Sequence, residues 1–192
     1  MRGRMRYALL LGSGLLLGAA QASAAPTASM LADACAGCHG TDGASLGPAT
    51  PTIGGQSKKY LIESMKAFKS GARPGPVMGQ IARGYTDEEI ELMAGFFAAK
   101  PYVRASQTGD PARMAAGEKL YNDNCGTCHL KTGAAADDAA GRLAGQWLPY
   151  LQNAMQDYRS GARPMPQMMK DKVDALDEAR IDALLHFIAG QP

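Results

Sequence analysis

Two copies of the pentapeptide Cys-x-x-Cys-His, Cys35-Ala36-Gly37-Cys38-His39 and Cys125-Gly126-Thr127-Cys128-His129, lie 90 residues apart and use all four cysteines of the chain. On a helical turn, residues i, i+3 and i+4 share one face, so two thiols and an imidazole leave each motif in the same direction. Both thiols can then form thioethers with a porphyrin edge while the imidazole reaches the iron, and this pentapeptide is the attachment signature of c-type haem. One zinc, two disulfides or two thioredoxin-like pairs also use paired cysteines. Zinc leaves both trailing histidines without a role, and a redox Cys-x-x-Cys opens a helix in a βαβ context that this chain lacks. The sequence predicts two covalently bound haem c groups, held by Cys35, Cys38, Cys125 and Cys128, with His39 and His129 on the irons.

The repeat extends beyond the motifs. At the same offset of 90, Gly55-Gln56 matches Gly145-Gln146, Tyr60-Leu61 matches Tyr150-Leu151, Met65 matches Met155, and Ser70-Gly71-Ala72-Arg73-Pro74 matches Ser160-Gly161-Ala162-Arg163-Pro164. Two such units form a tandem pair of domains, not a solenoid. Each is about 80 residues, a size at which a large apolar haem makes up for a thin core.

Each unit reads as helices and loops. Asp110-Pro111 is an N-cap followed by Pro at N1, ahead of Met114, Gly117, Leu120 and Tyr121 on one stripe; Ser29 to Ala34 is the shorter equivalent in unit one. Ser57 opens a helix carrying Tyr60, Leu61, Met65 and Phe68, which Gly71 ends; its counterpart runs from about Pro149 to Ser160. Thr86-Asp87-Glu88-Glu89 is a capping box before Ile90, Met93 and Phe97, and Asp177 caps the last helix, with Ile181, Leu184, Leu185 and Ile188. No stretch shows sustained alternation, so almost no sheet is expected. Pro101, Gly109 and Pro111 break the pattern between the units, giving expected domains at 25–103 and 104–192.

Residues 1–24 read as a signal peptide: Arg2, Arg4 and Arg6 precede an apolar run from Tyr7 to Ala20, and Ala22-Ser23-Ala24 offers a cleavage site. The run is too short and Gly-rich for a comfortable membrane span, so the mature chain is not expected to cross one. Export agrees with haem attachment outside the cytoplasm, and a bacterial periplasm is the expected compartment. Without the leader, 17 Lys and Arg face 18 Asp and Glu. Dispersed positive charge excludes a nucleic-acid face.

Each iron needs an occupant opposite its histidine. In Arg73-Pro74-Gly75-Pro76-Val77-Met78, prolines stiffen an extended loop that presents the Met78 thioether. In unit two Met165, Met168 and Met169 compete. Met168 matches Met78 at 39 residues from the histidine, whereas Met169 matches it at twelve residues before the isoleucine that opens the last helix. His/Met ligation gives a low-spin iron of raised potential suited to one-electron transfer, and leaves no open position for a diheme peroxidase-type enzyme. His186 reads as a surface or interface residue, and Trp147 and Tyr150 as core anchors at a helix start, with a haem propionate or a domain interface as the alternative.

With both haem motifs, the Arg-Pro loops and the duplication, the chain resembles the diheme class I cytochromes c over essentially its whole mature length: all-α, two tandem domains, each wrapped around one haem. Gly47-Pro48-Ala49-Thr50-Pro51-Thr52-Ile53, Arg73-Pro74 through Val77-Met78-Gly79 with Gly84-Tyr85, and Ala144-Gly145-Gln146-Trp147 through Pro149-Tyr150-Leu151 are similar to the cytochrome subunit of flavocytochrome c sulfide dehydrogenase. That resemblance places the second axial methionine six residues beyond Arg163, at Met169, although Met168 immediately before it departs from the pattern. It also implies a heterodimer with an FAD-containing sulfide-oxidising flavoprotein, which passes electrons through the two haems to a small acceptor protein. The chain has no dinucleotide-binding glycine fingerprint of its own. A cytochrome c4-type carrier between a quinol-oxidising complex and a terminal oxidase shares the fold and the ligands, and is the alternative.

Overall fold

The computed structural model describes residues 25–192, so the expected leader lies outside the described residues. Unit one contains α1 (Ala28–Asp33), α2 (Ala36–His39), α3 (Lys58–Ser70), α4 (Pro76–Arg83) and α5 (Asp87–Ala98). Unit two contains α6 (Pro111–Asn124), α7 (Leu148–Arg159), α8 (Gln167–Asp174) and α9 (Glu178–Ala189). Short 3-10 turns follow each haem motif at Thr41–Gly43 and Lys131–Gly133, and there is no strand among the described residues.

Local chemistry sets the helix ends. Ser57 accepts from the Tyr60 amide at the start of α3, and Gly71 ends it in the left-handed region at φ 82°, where a Cβ would be strained. Thr86 and Glu89 complete the capping box of α5, satisfying two otherwise orphaned donors. Asp110 and Asp177 accept from Arg113 and Arg180 amides to cap α6 and α9.

One structural feature departs from the sequence reading: Met78 does not sit on an extended loop. Gly75 ends the loop, Pro76 occupies the first turn of α4, and Met78 is the third residue of that helix. Proline costs nothing at N1, where its missing N–H has no helical partner. In unit two the same helix begins at Gln167, which is 91 residues after Pro76, while Arg73 and Arg163 stay 90 apart. The extra residue is therefore confined to Pro164-Met165-Pro166, and Met169 takes the helical position of Met78.

In unit one α5 packs on α1 and α3 around Ala32, Leu61, Ala94 and Phe97, with Cys35 against the cluster. In unit two α6 lies along α9, and Tyr121, Leu151, Val173, Ile181, Leu184 and Ile188 form the core. Gly117 allows that approach: a Cβ there would stand 2.2 Å from the Ala183 carbonyl oxygen.

The units are joined by a reciprocal clasp. The Gln146 side chain accepts from Thr52 N at 3.0 Å and donates to Thr52 O at 2.8 Å. Its repeat partner Gln56 accepts from Arg142 N at 2.7 Å and donates to Arg142 O at 3.5 Å. Thr52 and Arg142 are themselves 90 residues apart, so the contact is that of an isologous dimer written into one chain. Gln146 is 2 % and Gln56 5 % exposed, and each amide has a partner for both its oxygen and its nitrogen, as buried polar groups need.

Trp147 and Tyr150 reach into this joint, and Tyr150 also packs against the core of unit two. Trp147 Nε1 donates to the Ser45 carbonyl at 3.2 Å, and Tyr150 N to the Pro48 carbonyl at 3.1 Å. The start of α7 has no side-chain cap of its own. The Pro48 carbonyl and Gln107 Oε1, which accepts from Leu148 N at 3.0 Å, replace it. The helix is thus finished only by unit one and the linker.

Candidate haem sites

Cys35, Cys38 and His39 occupy one turn, with His39 N donating to Cys35 O at 2.9 Å. In unit two α6 ends at Asn124 and the motif continues as linked turns, keeping the same closure from His129 N to Cys125 O at 2.8 Å. All four thiols are free, Cys38 and Cys128 exposed, Cys35 and Cys125 half-buried against their cores. Burial, then the neighbouring Cys38, push the Cys35 thiol up. Burial also pushes Cys125 up, with Lys172 opposing it and Cys128 adding to it. A dithiol redox pair requires the opposite shift, toward the thiolate. Among the described residues no three His, Cys, Asp or Glu side chains converge as a metal cluster.

His39 is 7 % exposed, and its Nδ1 lies 2.8 Å from the Pro51 carbonyl oxygen. Only a protonated Nδ1 can donate to a carbonyl, so the Nε2 lone pair is left for a metal. Burial pulls this imidazole below its usual range, with the Pro51 bond working the other way. His129 is also pulled down by burial, against Asp137. Gly141 stands where unit one has Pro51, and the His129 ring makes no matching bond among the described residues. Tyr121 instead donates from its phenol to the His129 carbonyl.

Met78 and Met169 are both half-buried, and Met169 packs against the unit-two core. Met168 is 73 % exposed, as is its structural counterpart Val77 at 64 %. Met165 also touches the core, ahead of the helix. The third histidine, His186, lies on α9 and faces the start of α6, where its Nδ1 accepts from Asp110 N at 3.2 Å and its Nε2 faces Arg113 at 3.1 Å. It is a local tie within unit two.

The first unit matches a family model described as cytochrome c over residues 24–98, and the second matches cytochrome c oxidase, cbb3-type, subunit III over residues 112–188. Cytochrome c4 of Azotobacter vinelandii is 31 % identical over 178 residues, which cover 81 % of this chain and 83 % of that one. The chain belongs to the cytochrome c4 family. A structure of reduced recombinant cytochrome c4 from Pseudomonas stutzeri superposes with a TM-score of 0.73 at 28 % identity, covering 88 % of this chain and all of that one. The cytochrome subunit of sulfide dehydrogenase from Chlorobaculum tepidum is 48 % identical, but over 68 residues, 35 % of this chain and 61 % of that subunit. This cytochrome c4-like protein therefore has two tandem cytochrome c domains, carries two covalent haem c groups and transfers electrons. In unit one, free thiols beside a histidine whose Nδ1 is already engaged are the donor set that such a haem requires. Among the described residues no helix is long and apolar enough to cross a membrane.

Proposed function

We propose that the chain is a periplasmic diheme electron carrier of the c4 type, whose mature part follows a signal peptide at residues 1–24 and divides into domains at 25–103 and 104–192. Cys35 and Cys38 bind one haem and Cys125 and Cys128 the other. His39 with Met78, and His129 with Met169, are the axial pairs. Bound haem supplies a one-electron couple. The protein's part is to hold each imidazole, shield each site and keep the two at fixed separation, which the reciprocal Gln56 and Gln146 clasp does.

The observation that carries this reading over a subunit role is extent: similarity to a cytochrome c4 runs through both units, whereas similarity to the sulfide dehydrogenase subunit spans 68 residues. The carrier would take single electrons from a quinol-oxidising complex and deliver them to a terminal oxidase. The second reading, a subunit paired with an FAD-containing sulfide-oxidising flavoprotein and discharging to a small acceptor protein, is favoured by the higher identity within that segment.

Gentle purification from the native source separates the two. A diheme protein without flavin, reduced quickly by a membrane quinol oxidoreductase and slowly by sulfide, supports the carrier. A co-purifying flavoprotein with haem reduction on adding sulfide replaces it with the subunit reading.

A further inference from the structure

At the offset of 90 that relates the two units, the loops beside the two histidines have exchanged their chemistry. Unit one has Pro51, whose carbonyl accepts from His39 Nδ1 at 2.8 Å, and Gly47, which carries no side chain. Unit two has Gly141 at the first of these positions and Asp137 at the second. A cavity of about 10 Å³ lies beside His129, with Asp137, Ala140 and Gly141 in its lining. That is room for about one water between polar groups. Burial pulls the His129 imidazole down, and the Asp137 charge across this gap opposes it.

The loop holds Asp137 in place. Its Oδ1 accepts from Ala139 N at 2.8 Å, and its own N–H donates to the Ala140 carbonyl at 3.3 Å, a closed turn that leaves Oδ2 for another donor. The next residue, Asp138, accepts from Ser57 Oγ at the start of α3, so the turn is also anchored from unit one. With Nε2 turned to an iron, Nδ1 is the nitrogen of His129 left to face the protein.

We propose that Asp137 is a positioning residue of the second haem site: its carboxylate, through one water in the cavity, takes from His129 the Nδ1 proton bond that a backbone carbonyl takes from His39, and so lowers the affinity of the second iron for an electron. The inference rests on His39 and His129 being the iron ligands, not on which partner donates electrons. Hydrogen bonds to an ionised acceptor are stronger than those to a neutral one. A carboxylate behind a ligating histidine raises the basicity of the nitrogen on the metal. A more basic ligand and a nearby negative charge both favour the oxidised iron. Two sites with the same ligands are thereby made unequal.

The test is spectroelectrochemical titration of the intact diheme protein, joined to nitrogen NMR of its histidines in the reduced state. Asp137→Asn keeps an acceptor for Ala139 N and removes the charge. It should shift the one-electron equilibrium of the second haem about threefold toward the reduced form, or about 28 mV, given that tenfold is about 59 mV, and leave the first haem where it is. Asp138→Asn removes the same charge one residue away and should move the second haem by less than half as much. In the wild type, His129 Nδ1 should resonate on the imidazolate side of His39 Nδ1, and Asp137→Asn should remove that difference. A fully loaded Asp137→Asn protein with both potentials unchanged, an equal shift from Asp138→Asn, or equal Nδ1 resonances in the wild type overturns the proposal. If Asp137→Asn fails to take up its second haem, the wild-type comparison of the two histidines decides. A wild-type chain that takes up no haem would instead remove the ligand assignment on which the proposal rests.

Discussion

Gln146 and Thr52, 94 residues apart in the chain, exchange two hydrogen bonds through one side-chain amide and one backbone unit. Replacing Gln146 by Leu keeps most of the volume and strands the buried Thr52 N–H, while the Thr52 C=O keeps a 3.4 Å hydrogen bond from Gln56 Nε2. Each unsatisfied group costs about 1–3 kcal/mol. Urea unfolding of Gln146→Leu should show a loss of about 2 kcal/mol, and Gln56→Leu a smaller one, because its bonds to Arg142 O and Thr52 O are 3.5 and 3.4 Å long. Equal losses would remove the distinction between the two halves of the clasp.

Gly117→Ala sets helix propensity against packing. Alanine favours an exposed helix by about 1 kcal/mol, but here its methyl would stand 2.2 Å from Ala183 O and 2.7 Å from Phe187 Cβ. The carbonyl belongs to α9 and cannot rotate away. Overpacking of this kind costs about 1–3 kcal/mol, so thermal melting should fall, whereas a rise would mean that α9 yields.

The two candidate methionines of unit two predict opposite outcomes. Met169→Ala should open the second iron to carbon monoxide and lower its potential, because a thioether ligand raises it. Met168→Ala, at a 73 % exposed side chain, should leave the absorption spectrum and potential unchanged. The reverse pattern would transfer the axial role to Met168.

Asp87 at the start of α5 accepts from Lys69 at 2.9 Å, with Lys66 at 3.6 Å. The Lys69 hydrogen bond and charge hold the Asp87 carboxyl below its ordinary 3.8, with Lys66 adding to them. The depressed value in the fold means that the unfolded chain binds the proton more readily. The Asp87 contribution is present above pH 3.8 and is lost as pH falls through the lower folded value. The difference in melting temperature between wild type and Asp87→Asn should be present at neutral pH and vanish in strong acid. A difference that persists there would assign it to helix capping geometry instead of charge.

The haem motifs, the duplication and the caps at Ser57, Thr86, Asp110 and Asp177 were legible because each depends on a few adjacent residues. The helix holding Met78 was hidden by its prolines, which read as loop formers although Pro76 at N1 is compatible with α4. The ambiguity between Met168 and Met169 came from one inserted residue, and only the helix start at Gln167 confines it to Pro164-Met165-Pro166. The glutamine clasp was not legible. Gln56 and Gln146 appeared as a repeated dipeptide, but their partners are backbone groups, which leave no mark in the residue types at 52 and 142. For Trp147 and Tyr150 the residue types allowed a core or an interface place, and the contacts that show the second are with carbonyls of Ser45 and Pro48.

Because each glutamine grips main chain, the identity of the gripped residue is free to change. The repeat already illustrates this: a threonine on one side of the axis stands opposite an arginine on the other. The two halves can therefore accumulate different side chains around their irons, and with them different affinities for an electron, while the spacing between the centres is inherited unchanged.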